Sequence, residues 1–420
     1  MYYKIAEIIG IFRLRIILIV PFVLLTFGAV GLVGFLSFIN GQKAVNDVAS
    51  QLREEISDRI QLYLDTYLAT PHLINRINID AVRSGQLDLQ NLPKLERYLI
   101  SQLQQFESVS GILYSSNRGK FLASYRYTEN NTFLVSDQLD TSKISSYSLN
   151  SPGDRDKLYK VFRQPDARQR PWYKAAAIAR KPTWTQVFLL GDKSGFSLNA
   201  SQPIYGKDNK ELLGVFSVGL NLRRINTFLN SLRIGKSGKI FIIERNGLVV
   251  ATSTPEIPYV ITPKNELKRF KATEISNPLI SATGRFLNNY FNGDLNKLKN
   301  SEKLDFKIDG QRQFVQVMPY QEQLGLDWLI VEVVPESDFM AQVDFNTYTT
   351  ISLCLVTLII ATGIGIYTAH WITKPILTLN TAAKDLAKGK WHKTCEINRS
   401  DELGELAKSF NFMAAQLQAS

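Results

Sequence analysis

The chain has 420 residues, 45% of them hydrophobic and 21% charged, a balance that suits two or three folded domains and excludes a disordered or fibrous chain. Its formal charge of +11 comes from Lys and Arg scattered among acids, as in Arg53, Glu54, Glu55, Asp58 and Arg59, so no nucleic-acid partner is expected. Two cysteines (Cys354, Cys395) and three histidines (His72, His370, His392) offer no disulfide framework, zinc site or His-based dyad, and neither a metal nor any other cofactor is expected.

Residues 1–15 carry Lys4, Arg13 and Arg15, and residues 16–39 are an uncharged apolar run. That run is long enough to cross a bilayer as a helix and too long for the apolar core of a signal peptide. From 40 to 78, Val45, Val48, Leu52, Ile56, Ile60, Tyr63 and Tyr67 recur every three or four residues, which predicts an amphipathic stalk helix that Pro71 ends or kinks.

From Val109 the period changes to two. Residues 109–115 and 121–127 flank a turn at Asn117, Arg118 and Gly119, and strand-like runs follow at 185–190, 196–205 and 212–222, the last two joined at Lys207, Asp208 and Asn209. A second copy starts at Gly235, with runs at 240–244, 248–253, 313–318 and 328–334. The expected fold class is α+β: a long N-terminal helix and two tandem modules with antiparallel sheets, a distal one at 79–232 and a proximal one at 233–347. No element is assigned to residues 263–303.

A second uncharged run, Ile351 to Ala369 within a span set at 348–370, again has membrane length. Lys374, Lys384 and Lys388 follow it and Asp338 and Asp344 precede it, which predicts cytoplasmic termini and an external 40–347. Beyond it, Pro375, Ile376, Leu379, Ala383 and Leu386, and then Leu403, Leu406, Phe410, Met413 and Leu417, keep three-four spacing on two short helices. Gly389 lies in the connector, which ends in Asp401, Glu402, Leu403 and Gly404.

The run Arg170, Pro171, Trp172, Tyr173, followed by Lys181, Pro182, Thr183 and Trp184, resembles the double Cache family of extracytoplasmic sensors, over residues 40–347. Residues 371–420 resemble a HAMP linker, with Pro375 at the start of its first helix, Gly389 in its connector, and Asp401, Glu402 and Gly404 opening its second helix. The resemblance implies PAS-like Cache modules with a small-molecule ligand in the distal one, a HAMP parallel four-helix bundle formed by two chains, hence a homodimer, and a two-pass protein of the bacterial inner membrane in contact with lipid. It also implies a cytoplasmic output, either an enzyme (histidine kinase or class III nucleotide cyclase) or a chemotaxis-type adaptor. No catalytic motif occurs in these 420 residues. The second HAMP helix is still in register at Ser420, so the output is expected in further sequence.

The ligand chemistry rests on Arg170, whose fork of donors matches a carboxylate, with Trp172 and Tyr173 adding directional bonds and walls. Asn199 and Ser201 on the adjacent strand, and Tyr125, are further candidate contacts. Family members that bind free amino acids carry a Tyr five residues before the motif Arg, where this chain has Pro165, and an Asp in the strand closing the first module, where Gly219 stands. A slip of two residues would put Asn221 there, which is equally neutral. The expected ligand is therefore a carboxylate or comparable anion that does not rely on an ammonium group.

Overall fold

The structure, a computed structural model, describes residues 14–127, 132–140, 143–150, 153–163, 166–189, 196–206, 208, 210–262, 267–388 and 395–419. Gly389, Pro165, Lys207 and Asn209 lie outside the described residues. The chain divides into two compact units, Asp47–Phe339 and a second made of Met1–Asn46 with Met340–Ser420.

The spine of the sensor unit is the latter part of helix α1 (Leu14–Arg83). Its buried stripe includes Ile56, Ile60, Leu64, Tyr67 and Leu68, whereas Val48, assigned to this stripe by spacing, is exposed. Pro71 does not end the helix, which continues twelve residues to Arg83. Pro71 removes one backbone bond, but Leu64, Leu68, Ile74 and Ile79 on either side are fully or nearly fully buried, and that packing outweighs a cost of about 3 kcal/mol. Helix α2 (Leu92–Gln105) follows, its first turn capped by Asn91, whose side chain accepts from the Lys94 N–H.

The distal sheet comprises β1 (Gly111–Ser116), β2 (Phe121–Tyr127), β3 (Thr132–Asp140), β4 (Lys143–Leu149), β5 (Arg155–Arg163), β6 (Thr183–Trp184), β7 (Phe188–Leu189), β8 (Phe196–Tyr205) and β9 (Leu212–Asn221). Its order is β5-β4-β3-β2-β1-β9-β8-β6, with β7 also on β8. The expected hairpin is present, with Ser115 opposite Phe121 and Gly119 at φ +85° in its turn. Period-two alternation gives the sheet two faces. Ile112, Tyr114, Val135, Leu198, Phe216 and Val218 join the core built on α1 and α2. On the opposite face, Phe121, Ala123, Ile144 and Val215 pack with Trp172, Tyr173 and Ala176 of helix α3 (Pro171–Ala179).

Helix α4 (Leu222–Ser231), capped by Asn221, leads to the proximal module. Here β10 (Lys239–Glu244), β11 (Val249–Thr252), β14 (Glu302–Ile308), β15 (Gln311–Gln321) and β16 (Asp327–Pro335) form a sheet of order β11-β10-β16-β15-β14, beside a hairpin of β12 (Tyr259–Ile261) and β13 (Leu267–Arg269). One sheet face supplies Phe241, Ile243, Val317, Leu329 and Val331 to a core under helix α5 (Pro278–Tyr290). The other face, with Ile240, Ile242, Ile330 and Val334, shares the core of the stalk residues Ile56, Ile60 and Leu64.

In the second unit, the first part of α1 and helix α6 (Ser337–Ala387) contain stretches long and apolar enough to cross a membrane, with mean hydropathy 2.4 and 2.1. Gly365 of α6 lies against Phe22, where an added Cβ would come within 2.8 Å of the ring, so a small residue allows the two helices to approach. Pro375, expected at a helix start, instead lies inside α6, which runs unbroken from the apolar stretch. The carbonyl of Trp371, four residues earlier, cannot bond to a proline nitrogen; Arg399 Nη1 donates to it at 2.9 Å. Helix α7 (Glu402–Ala419) follows.

Candidate functional site

A cavity of about 490 Å³ opens on the α3 face of the distal sheet. Its floor follows from strand register. Gly111 of β1 stands opposite both Tyr125 and Gly219, and Asn199 of β8 stands opposite Gly219, so these residues point to one face. Arg170 precedes α3 and caps it through backbone geometry alone (φ −72°, ψ 148°), with Pro171 at the first helical position. Its side chain lines the cavity, as does Trp172, and its guanidinium carbon is 5.8 Å from the centroid of the Phe188 ring.

Asn199, 1% exposed, is the centre of a neutral polar network. Its Oδ1 accepts from Ser197 Oγ at 2.5 Å, its Nδ2 donates to Ser217 Oγ at 3.0 Å, and its backbone N–H donates to Thr185 Oγ1 at 3.0 Å. A Cβ added at Gly219 would meet Ser197 Oγ at 2.8 Å and Asn199 Oδ1 and Ser110 Oγ at 3.2 Å each. Neutral oxygens therefore occupy the space beside Gly219. At another part of the wall, the Tyr125 hydroxyl is 3.0 Å from Ser146 Oγ and accepts from Ser136 Oγ at 3.1 Å.

The residues proposed from sequence separate into two groups. Arg170, Trp172, Asn199 and Tyr125 line the cavity; Tyr173 and Ser201 do not. Tyr173 is 6% exposed in the apolar cluster beneath α3, its ring 5.8 Å from that of Trp172, and burial pushes its phenol above the usual value. Ser201 is fully buried, 2.8 Å from Ser217 Oγ. Ser197, two residues before Asn199 and thus on its face, was legible from the same alternation. Arg126, Arg223 and Arg269 also line the cavity, and no local sequence signal marks them.

The charged residues among the described lining are these four arginines, and none is acidic. Arg269 is already paired with Glu244 at 2.6 Å, and Arg126 Nη2 donates to the Leu103 carbonyl at 2.9 Å. A wall with this sign of charge favours an anionic occupant.

In the second unit, Asp401 Oδ1 accepts from the Gly404 N–H at 3.2 Å, and both Asp401 oxygens accept from Arg399. The Arg399 guanidinium holds the Asp401 carboxyl below its usual range. A side chain at Gly404 would collide with the Arg399 carbonyl, so the position requires glycine. Glu402 is exposed in the first turn of α7. Cys395 exchanges two hydrogen bonds with the Asn411 side chain, at 2.8 and 2.9 Å, fixing the end of the connector to α7.

Comparison with known proteins adds the following. A family model described as Cache domain matches residues 41–343, and one described as HAMP domain matches residues 367–419. The methyl-accepting chemotaxis protein McpA of Pseudomonas putida is 26% identical over 258 residues, 61% of this chain and 36% of that protein. PscA of Pseudomonas syringae, a methyl-accepting chemotaxis protein, is 22% identical over 383 residues, 89% of this chain and 54% of that one. The chain thus matches between a third and about half of the length of these relatives. Among solved structures, the ligand-binding domain of the Pseudomonas aeruginosa chemoreceptor PctB, in complex with L-Arg, is 18% identical with a TM-score of 0.42, covering 70% of this chain and 98% of that one. The Mlp24 ligand-binding domain with asparagine is 17% identical, with a TM-score of 0.44 and coverage of 72% and 99%.

Proposed function

The chain belongs to the Cache-domain family and carries a HAMP domain, and from that premise we propose that it is a transmembrane receptor of the chemoreceptor type for a small carboxylate-bearing ligand. Residues 16–39 and 348–370 cross the membrane, 40–347 lie outside the cytoplasm with the ligand in the distal module, and 371–420 form the HAMP relay in a homodimer. The relay acts on a cytoplasmic output; the curated relatives support a chemotaxis-type output over a kinase or cyclase.

The observation that carries the ligand class is the lining itself, with Arg170 present, no acid among the described lining residues, and neutral oxygens beside Gly219. A carboxylate gains a charge-assisted fork from Arg170, whereas an ammonium group meets no counter-charge among the described lining residues and keeps its desolvation cost. Ligand binding then shifts a two-state equilibrium of the sensor unit by its differential affinity for the two states.

The test is calorimetric titration of the full chain in nanodiscs with organic acids, amino acids and amines. Carboxylates should bind, and Arg170→Lys, which keeps the charge and loses the fork, should weaken them by on the order of 1–3 kcal/mol. Binding of amines or amino acids with none of carboxylates would sink the assignment, as would unchanged affinity in Arg170→Ala.

A further inference from the structure

Away from the cavity, the sensor unit buries a second set of charges where α1 lies on the proximal sheet. Glu332 of β16 is fully buried. Its Oε1 accepts from Ser57 Oγ at 2.7 Å, Ser57 Oγ accepts from Gln316 Nε2 at 2.9 Å, and its Oε2 has no hydrogen-bond partner among the described residues. Arg53, one turn before Ser57, is 5% exposed, and its Nε and Nη1 also lack partners there. Its guanidinium carbon is instead 5.2 Å from the centroid of the Phe314 ring. A buried carboxyl and a buried guanidinium thus share one interface without pairing.

The other neighbouring cations are committed elsewhere. Lys303 bonds Ser50 and Glu54, and Arg312 pairs with Asp305 and Glu336. On the other neighbouring strand, β10, the residue opposite Glu332 is the apolar Ile240. Asp58 opposes ionisation of Glu332, while Arg53 and the Ser57 bond favour it; burial is the largest influence and pushes the carboxyl from 4.5 up to about 8. Burial also holds Arg53 below its usual value, with Arg312 adding to that and Glu332, Glu54 and Asp305 opposing it. A cleft lined by Glu54, Ser57, Asp58, Lys303 and Gln316 reaches Ser57, the residue that donates to the acid.

We propose that Glu332 is a proton-binding site that gives the chain a second input, the pH of the compartment bathing its sensor unit, independent of the ligand cavity. With the proton on Oε2, the neutral acid remains in the interface and the stalk is seated on the proximal sheet. When the proton leaves to solvent, the carboxylate must be hydrated or must draw Arg53 off Phe314, and either change loosens the seat. Between the usual carboxylate value of 4.5 and about 8, the closed state holds one more proton than the opened state. Opening of the stalk therefore becomes about tenfold easier per pH unit across that window and levels off above it.

Hydrogen exchange of the full chain in nanodiscs from pH 5.5 to 9.5, corrected for intrinsic rates, reads this directly on the stalk amides of residues 53–60. The expected wild-type profile is a tenfold rise in the opening constant per pH unit that flattens near pH 8, with a flat profile in Glu332→Gln. Ser57→Ala, which removes a bond favouring the ionised form, should move the plateau to higher pH; if Glu332→Gln does not fold, this shift decides the matter. A flat wild-type profile, a wild-type slope in Glu332→Gln, or an unmoved plateau in Ser57→Ala would each overturn the assignment.

Discussion

Gly219→Asp places a carboxylate among oxygens that now face a bare backbone. The new Cβ would come within 2.8 Å of Ser197 Oγ, so the serine must rotate and give up its 2.5 Å bond to Asn199, a loss of about 1 kcal/mol. Ser197 and Ser110 can turn their hydroxyls toward the carboxylate, but Asn199 presents Oδ1 unless its amide flips. Burying the charge adds a penalty that these donors offset only in part, and the sensor unit should lose on the order of 2–4 kcal/mol. A bound carboxylate about 6 Å from the new one would be repelled by roughly 3 kcal/mol at an effective dielectric of about 20, close to a hundredfold in Kd. Ligands bearing an ammonium group should gain affinity instead. Gly219→Ala is the steric control, expected to cost about 1 kcal/mol of stability and to change Kd less than about fivefold. Titration calorimetry and thermal melts of the three proteins measure both quantities. If the Asp variant binds carboxylates as tightly as wild type, or the Ala variant loses as much affinity, the electrostatic account of this wall is wrong.

Two further expectations concern other parts of the chain. The half-buried His72 ring sits edge-on to Trp184 at 4.7 Å between centroids, neither nitrogen has a partner among the described residues, and burial, with Arg76 adding to it, holds its pKa down to about 4. The folded state thus refuses a proton that the unfolded state accepts, so stability is lost as pH falls from 6.5 toward 4, by up to about 3 kcal/mol; His72→Phe should flatten that part of the melting profile, and an identical slope in the variant would exclude His72 as its source. On α7, Leu406, Phe412 and Met413 are 55%, 67% and 49% exposed, and such apolar positions on a short helix need a partner chain. With Cys354 and Cys395 replaced, single cysteines at Leu406 or Met413 should crosslink between subunits and one at Lys408 should not; equal yields at all three would argue against a parallel bundle.

The parts of the fold that the sequence shows are those where one face is buried and the other is not. Strands β1, β2, β8 and β9 alternate because one face meets α1 and α2 while the other meets α3 or the cavity. Strand β5 lies at the sheet edge with Leu158, Tyr159 and Val161 all exposed, so burial imposes no period, and β3 to β5 went unassigned. Helix α5 falls within residues 263–303, where no periodicity stands out, although Asn277 and Pro278 mark its start as cap and first residue. Local propensity makes Pro71 and Pro375 helix boundaries or kinks, which tertiary packing and, at Pro375, a distant arginine override. The site was legible where it depends on one strand's alternation, as with Asn199 and Ser197. It was not legible for Arg223 and Arg269, which reach the cavity from α4 and β13 through chain reversals that no local pattern encodes.

The arginine at Pro375 has a mechanical consequence. A proline inside a helix normally makes a compliant joint, because the carbonyl it orphans can turn toward water as the axis bends. Here Arg399 holds that carbonyl at 2.9 Å, stacks its guanidinium 3.9 Å from the centroid of the Trp371 ring, and grips Asp401 at the start of α7. One side chain therefore stiffens the joint and fastens it to the neighbouring helix. The axis of α6 cannot flex at Trp371 without pulling on the first turn of α7, so displacement along one helix is converted at this point into displacement of the other.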